Sequence, residues 1–147
     1  MIRPLTSQDY ERWLELAAEV EPLFGAMVSD TGFRVALRET IAQGNALGLE
    51  VQDAIGGIIA IDRVENEITW LAVGASYRGC GYGDQLVKAA LEELAADSDV
   101  QVQTFAPEVS AGSAARHLYL RNGFVDARRA GPNPAGLETV MMRRPCS

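Results

Sequence analysis

SYRGCGYGDQLV, Ser76–Val87, decides how this chain of 147 residues is read. It separates the apolar run EITWLAV (Glu67–Val73) from a stretch with Leu86, Val87, Ala90, Leu91 and Leu94 at helical spacing. Gly79, Gly81 and Gly83 occupy alternate positions just where that helix begins. Each glycine gives up backbone order on folding, so three together need a compensating use. A strand that runs through a glycine-rich turn into a helix leaves the first-turn N–H groups free, and the helix dipole adds about half a positive charge there. Without a Cβ in the way, such a main chain can approach an anion closely, and a diphosphate is the natural guest. A Walker loop requires Gly-Lys-Ser/Thr, whereas Gly83 is followed by Asp84 and Gln85. A dinucleotide fingerprint needs G-x-G-x-x-G in an opening βαβ unit. Here the spacing is G-x-G-x-G, past mid-chain and after a run of strands.

Working outward, Ile2–Leu5 reads as a short strand. Thr6 or Ser7 then caps a helix carrying Tyr10, Trp13, Leu14, Ala17 and Ala18, interrupted by Pro22 and Gly25. A second helix spaces Phe33, Leu37 and Ile41 four apart and stops at Gly44. ALGLEVQ, GGIIAIDR and EITWLAV form an antiparallel meander, with turns at residues 53–57 and at Glu65-Asn66. After the glycine loop come the helix DQLVKAALEELAA and the strand DVQVQTFAP. The helix SAARHLYLRNGF closes on Asn122-Gly123, and FVDARRA with LETVMMRRP makes a last hairpin. The expectation is one α+β domain over residues 1–147: a mixed, mostly antiparallel sheet with helices on both faces.

The bulk numbers remove whole classes of function. A net charge of -7 argues against a nucleic-acid backbone or an anionic membrane as partner. No apolar run reaches the length of a membrane span, and MIRPLTSQDYERW is too polar for a signal peptide. Cys80 and Cys146 cannot build a disulfide framework, and no His/Cys cluster has metal spacing, so a reduced, cytoplasmic, metal-free protein is expected.

RGCGYG resembles the R/Q-x-x-G-x-G/A coenzyme A loop of the GCN5-related N-acetyltransferases (GNAT), with Arg78, Gly81 and Gly83 at the marked positions. AARHLYLRNGF is similar to that family's second motif, A-x-x-x-Y-x-x-x-G-F, through Ala115, Tyr119, Gly123 and Phe124. The order of elements from Ile2 to about Met142 is that of the family too.

The resemblance implies an acetyl-CoA-dependent N-acetyltransferase that moves an acetyl group to a primary amine in a ternary complex. It implies that the main chain of Leu71 and Val73 bonds the pantetheine arm. The diphosphate is held by Arg78, Gly79, Cys80, Gly81, Tyr82, Gly83 and Asp84, with the Asp84 carboxylate opposing the anion. Tyr119 hydrogen-bonds the departing thiolate or protonates it. Glu67 matches the general base of the histone-acetylating branch, a role that a water chain fills in many other family members; its other reading is an exposed strand-end carboxylate. Gly112 stands where the family's motif carries an asparagine, leaving Ser110 or Ser113 to contact the pantetheine. Glu21 and Phe24 either shape the acceptor pocket or, in the case of Phe24, join the core. His117 reads as structural. Three functions fit: acetylation of a small amine, acetylation of a peptide N-terminus or lysine, and a catalytically silent acyl-CoA-binding module. The apolar residues of LETVMMRRP suit pairing into a homodimer.

Overall fold

The computed structural model describes residues 1–146. In chain order the elements are β1 (Ile2–Pro4), α1 (Tyr10–Phe24), α2 (Thr31–Ala42), β2 (Ala46–Val51), β3 (Ala54–Asp62), β4 (Glu67–Val73), α3 (Tyr82–Glu93), β5 (Val100–Phe105), α4 (Ser113–Arg121), β6 (Val125–Pro132) and β7 (Glu138–Arg144). The strands form one seven-stranded sheet of order β1-β2-β3-β4-β5-β7-β6. Every neighbouring pair is antiparallel except β4 and β5. The fold is the expected α+β arrangement, with helices on both faces.

The period of two along β3 organises the core. Ile58 and Ala60 pack with Trp13, Leu14, Leu16 and Leu37 from α1 and α2. Ile59 and Ile61, pointing the other way, pack with Leu86, Val87 and Ala90 of α3 and Tyr119 of α4. A strand buried on both faces reads as a continuous apolar run, as GGIIAI does. Thr6 provides the cap ahead of α1. Its Oγ accepts from Gln8 N–H, while the Asp9 carboxylate accepts from Thr6 N–H at 2.8 Å.

Four local expectations are corrected. Pro22 does not interrupt α1, because it lies in the last turn, where one main-chain bond is forfeited; Gly25, at φ +100, ends the helix. The turn between β2 and β3 is Gln52-Asp53, both at positive φ, and Gly56 and Gly57 lie inside β3. They are glycines because the Tyr77 ring and the Leu86 side chain lie against them: an added Cβ would come within 2.8 and 2.9 Å of these groups. The third helix begins at Tyr82 instead of Asp84, so Gly83 is helical. The apolar residues of the last strand, Val140, Met141 and Met142, are buried in the chain's own core, since β7 runs between β5 and β6.

Candidate functional site: a glycine loop and a split in the sheet

β4 is bonded to β3 along its whole length but to β5 only through Glu67/Gln101 and Ile68/Val102. A register shift against β3 falls between Ile68 and Trp70, so Thr69 is the extra residue of a bulge. The parallel ladder stops just before it. Bulges bend the strand that carries them and re-aim its side chains. Before the bulge, Ile68 packs toward α3 and α4; after it, Trp70 packs toward α1 and α2, and Leu71 and Val73 toward α3.

The consequence for the main chain follows from alternation. Gly74 N–H donates to Gly56 O at 2.8 Å, so the N–H and C=O of Leu71 and Val73 point away from β3, toward the missing ladder. A cleft of about 120 Å³ fills the split. Leu71, Thr69, Thr104, Phe105, Ala115 and Tyr119 are among its walls.

The strand leads into the glycine loop through a 3-10 turn, Ala75–Tyr77, which the Glu19 carboxylate anchors by accepting from Ala75 N–H at 2.9 Å. Gly79 and Gly81 both take φ +79, the left-handed region that disfavours a side chain, and a Cβ at either would meet nothing within 4 Å. Gly83 has a different reason. It is helical, and its Cβ position lies 3.1 Å from Leu118 Cδ2, so it is small to let α3 approach α4. Gln85 N–H makes the first helical bond, to Gly81 O. The N–H groups of Gly79, Cys80, Gly81, Tyr82, Gly83 and Asp84 find no acceptor among the described residues. Arg78 donates through Nε to Val73 O at 3.1 Å, and its two terminal nitrogens have no partner among the described residues. Cys80 is exposed.

Asp84 is not a bare charge at the loop. Its carboxylate accepts from Lys88 Nζ at 2.5 Å and from Asn122 Nδ2 at 2.9 Å, and these contacts hold it below the usual carboxylate range. Asn122 was legible only as part of a helix stop; its side chain ties the start of α3 to the end of α4.

Tyr119 is 4% exposed and stacks edge-on against Phe124 at 5.5 Å. Its hydroxyl has no partner among the described residues, yet it is not among their sealed polar atoms, and Tyr119 lines the cleft. Burial pushes its pKa up, so the hydroxyl is a neutral donor. Glu67 stands at the closed end of the split, paired with Gln101, and does not line the cleft. Burial first, then Asp62 and Glu65, raise its pKa. Gly112 is fixed by packing: its Cβ would sit 2.3 Å from Phe105 Cβ. Ser110 and Ser113 are exposed, and neither lines the cleft. Phe24 does line it, 5.1 Å from the Phe105 ring. Glu21 is occupied elsewhere, accepting from Met27 and Val28 N–H, which lowers its pKa. His117 is exposed on α4. The cleft walls Thr69, Trp70, Thr104 and Phe105 escaped sequence reading, because only the split in the sheet makes them neighbours.

A sequence model described as an acetyltransferase (GNAT) domain matches residues 19–145. The chain belongs to the GNAT family of acetyltransferases. No curated protein sequence matches it. Among solved structures it is similar to a GNAT-family acetyltransferase from Bacillus cereus, with 13% identity, TM-score 0.76, and 100% of this chain and 97% of that one covered. It is similar to a ribosomal-protein-alanine N-acetyltransferase from Brucella melitensis, with 17% identity, TM-score 0.78 and 99% of each chain covered. The PaiA N-acetyltransferase from Thermoplasma acidophilum, solved in complex with coenzyme A, shares 18% identity at TM-score 0.72, with 99% of this chain and 98% of that one covered. Among the described residues no helix is long and apolar enough to cross a membrane.

Proposed function

We propose that the protein is an acetyl-CoA-dependent N-acetyltransferase that acts on the primary amine of a small molecule. The observation that carries this reading is convergence. The unpaired amides of Gly79 to Asp84 and the outward N–H groups of Leu71 and Val73 lie along one stretch of chain, and Leu71 lines the same cleft as Tyr119. These groups fit coenzyme A: a row of N–H donors with no Cβ at Gly79 or Gly81 suits a diphosphate, and a free strand edge suits an extended, amide-containing arm.

When bound, the coenzyme would supply an acetyl group as a thioester. The amides of Gly79, Cys80, Gly81, Tyr82, Gly83 and Asp84 hold the diphosphate, with the Arg78 terminal nitrogens beside them. The C=O of Leu71 and the N–H of Val73 take the pantetheine arm as an added strand, and Ser113 at the start of α4 is the polar group next to the motif's asparagine position. The Leu71 N–H is left to steady negative charge that develops on the acetyl oxygen. Tyr119 gives its proton to the departing sulfur. Glu67, with its raised pKa and its position two residues before Thr69, takes the amine's proton by way of water.

Calorimetry with coenzyme A, together with thiol release measured against an amine panel, tests the reading. One coenzyme per chain and amine-dependent thiol release are expected. Binding without release on any amine would instead favour a silent acyl-CoA module, and no binding would remove the proposal.

A further inference from the structure

A second cavity, about 180 Å³, opens beside the cleft. Trp13 of α1, Phe33, Ala36, Leu37 and Thr40 of α2, and Thr69 and Trp70 of β4 line it. Thr69 and Trp70 line the cleft as well, so the bulge is a wall that the two spaces share. The bulge sets that shared wall, since it turns Trp70 toward α1 while leaving Thr69 exposed. The indoles of Trp13 and Trp70 meet edge to face at 5.6 Å and make an aromatic wall. Thr40 Oγ is spent on Ala36 O at 2.7 Å, so it presents little polarity. None of the residues lining either space is charged.

We infer that this cavity is the side-chain pocket of the acceptor, and that the acceptor is a monoamine with a compact aromatic body. The inference rests on the proposed acetyltransfer reading and names its substrate class. Three features support it. Apolar cavities of about 150 Å³ accept a benzene-sized guest. β4 rises about 3.4 Å per residue, so the pocket wall at Trp70, one residue from Leu71, lies within a two-carbon reach of it. A second ammonium buried against these walls would have no counter-charge, a heavy desolvation cost that excludes polyamines and aminoglycosides. The same walls favour the neutral form of the amine that must react, because desolvation lowers an ammonium pKa.

Trp13 and Trp70 are the chain's only tryptophans and both line the pocket, so intrinsic fluorescence reports its occupancy without turnover. Phenethylamine, ethylamine and spermidine are titrated in the presence of coenzyme A, alongside Ala36→Leu, which fills the pocket from an exposed helical position outside the cleft. Phenethylamine is expected to shift the fluorescence saturably, with spermidine giving no response. Ala36→Leu should weaken phenethylamine at least tenfold and leave coenzyme affinity and the ethylamine rate unchanged. Tighter binding of spermidine, or an Ala36→Leu protein that binds phenethylamine like the parent, overturns the substrate class while leaving acetyltransfer standing. Absence of coenzyme binding in separate calorimetry overturns the underlying reading instead.

Discussion

Asn122 Nδ2 donates to the Asp84 carboxylate at 2.9 Å, so the one acid in the first turn of α3 is tied to the end of α4. Lys88, the only lysine of the chain, closes the cluster from the next turn of α3. A carboxylate there stabilises the empty helix but opposes a bound anion; the two partners hold it in place and offset its charge.

Removing that offset should show in coenzyme affinity. Lys88→Ala is expected to weaken binding about two- to fivefold, the scale of an exposed ion pair, with the difference shrinking at high salt. Asp84→Asn should strengthen binding. Calorimetry at two ionic strengths decides, and a Lys88→Ala protein that binds as tightly as the parent at low salt would contradict the role.

The loop glycines should separate by mechanism. Gly81→Ala places a side chain at φ +79 in open space, a backbone strain of about 1–2 kcal/mol with no clash. Coenzyme affinity should fall about tenfold as the loop relaxes out of shape. Gly83→Ala meets only the flexible end of Leu118, and its loss should appear as a small drop in melting temperature with affinity largely kept.

Tyr119→Phe should lower kcat about a hundredfold or more, the usual scale for a lost general acid. Because the hydroxyl bonds nothing among the described residues, its removal orphans none of them, and melting temperature and coenzyme affinity should stay as they were. Equal loss of turnover and affinity would take the acid role from Tyr119.

Glu67→Gln carries a pH signature. A carboxyl whose pKa is higher folded than unfolded binds more protons in the native state, so it removes stability as pH rises through the glutamate range near about 4.3 and up to the shifted value. The parent should therefore lose more stability than Glu67→Gln between pH 4 and pH 7, and thermal melts at both pH values test this. The variant should also lose turnover most clearly near neutral pH, where the parent carboxylate is ionised.

The order of elements was readable because helical and strand periodicities differ and because Gly44, Pro107 and Asn122-Gly123 punctuate them. The glycine loop was readable from Gly79 and Gly81, whose demand is local to the backbone. Other features depend on distant partners. Gly112 answers to Phe105 and Gly83 to Leu118, contacts that no spacing announces. The bulge at Thr69 was hidden because Trp70–Val73 is apolar toward both faces, so a one-residue slip leaves no break in that part of the pattern. The cleft walls and the aromatic pocket follow from that bulge, and so were out of reach of the sequence.

Amide chemical shifts recorded as coenzyme A is added test the proposed grip on the diphosphate most directly. The resonances of Gly79 to Asp84, Leu71 and Val73 should move saturably, at one coenzyme per chain, ahead of the rest of the protein. Saturating coenzyme that leaves those N–H groups unmoved, or moves another surface in their place, would contradict it.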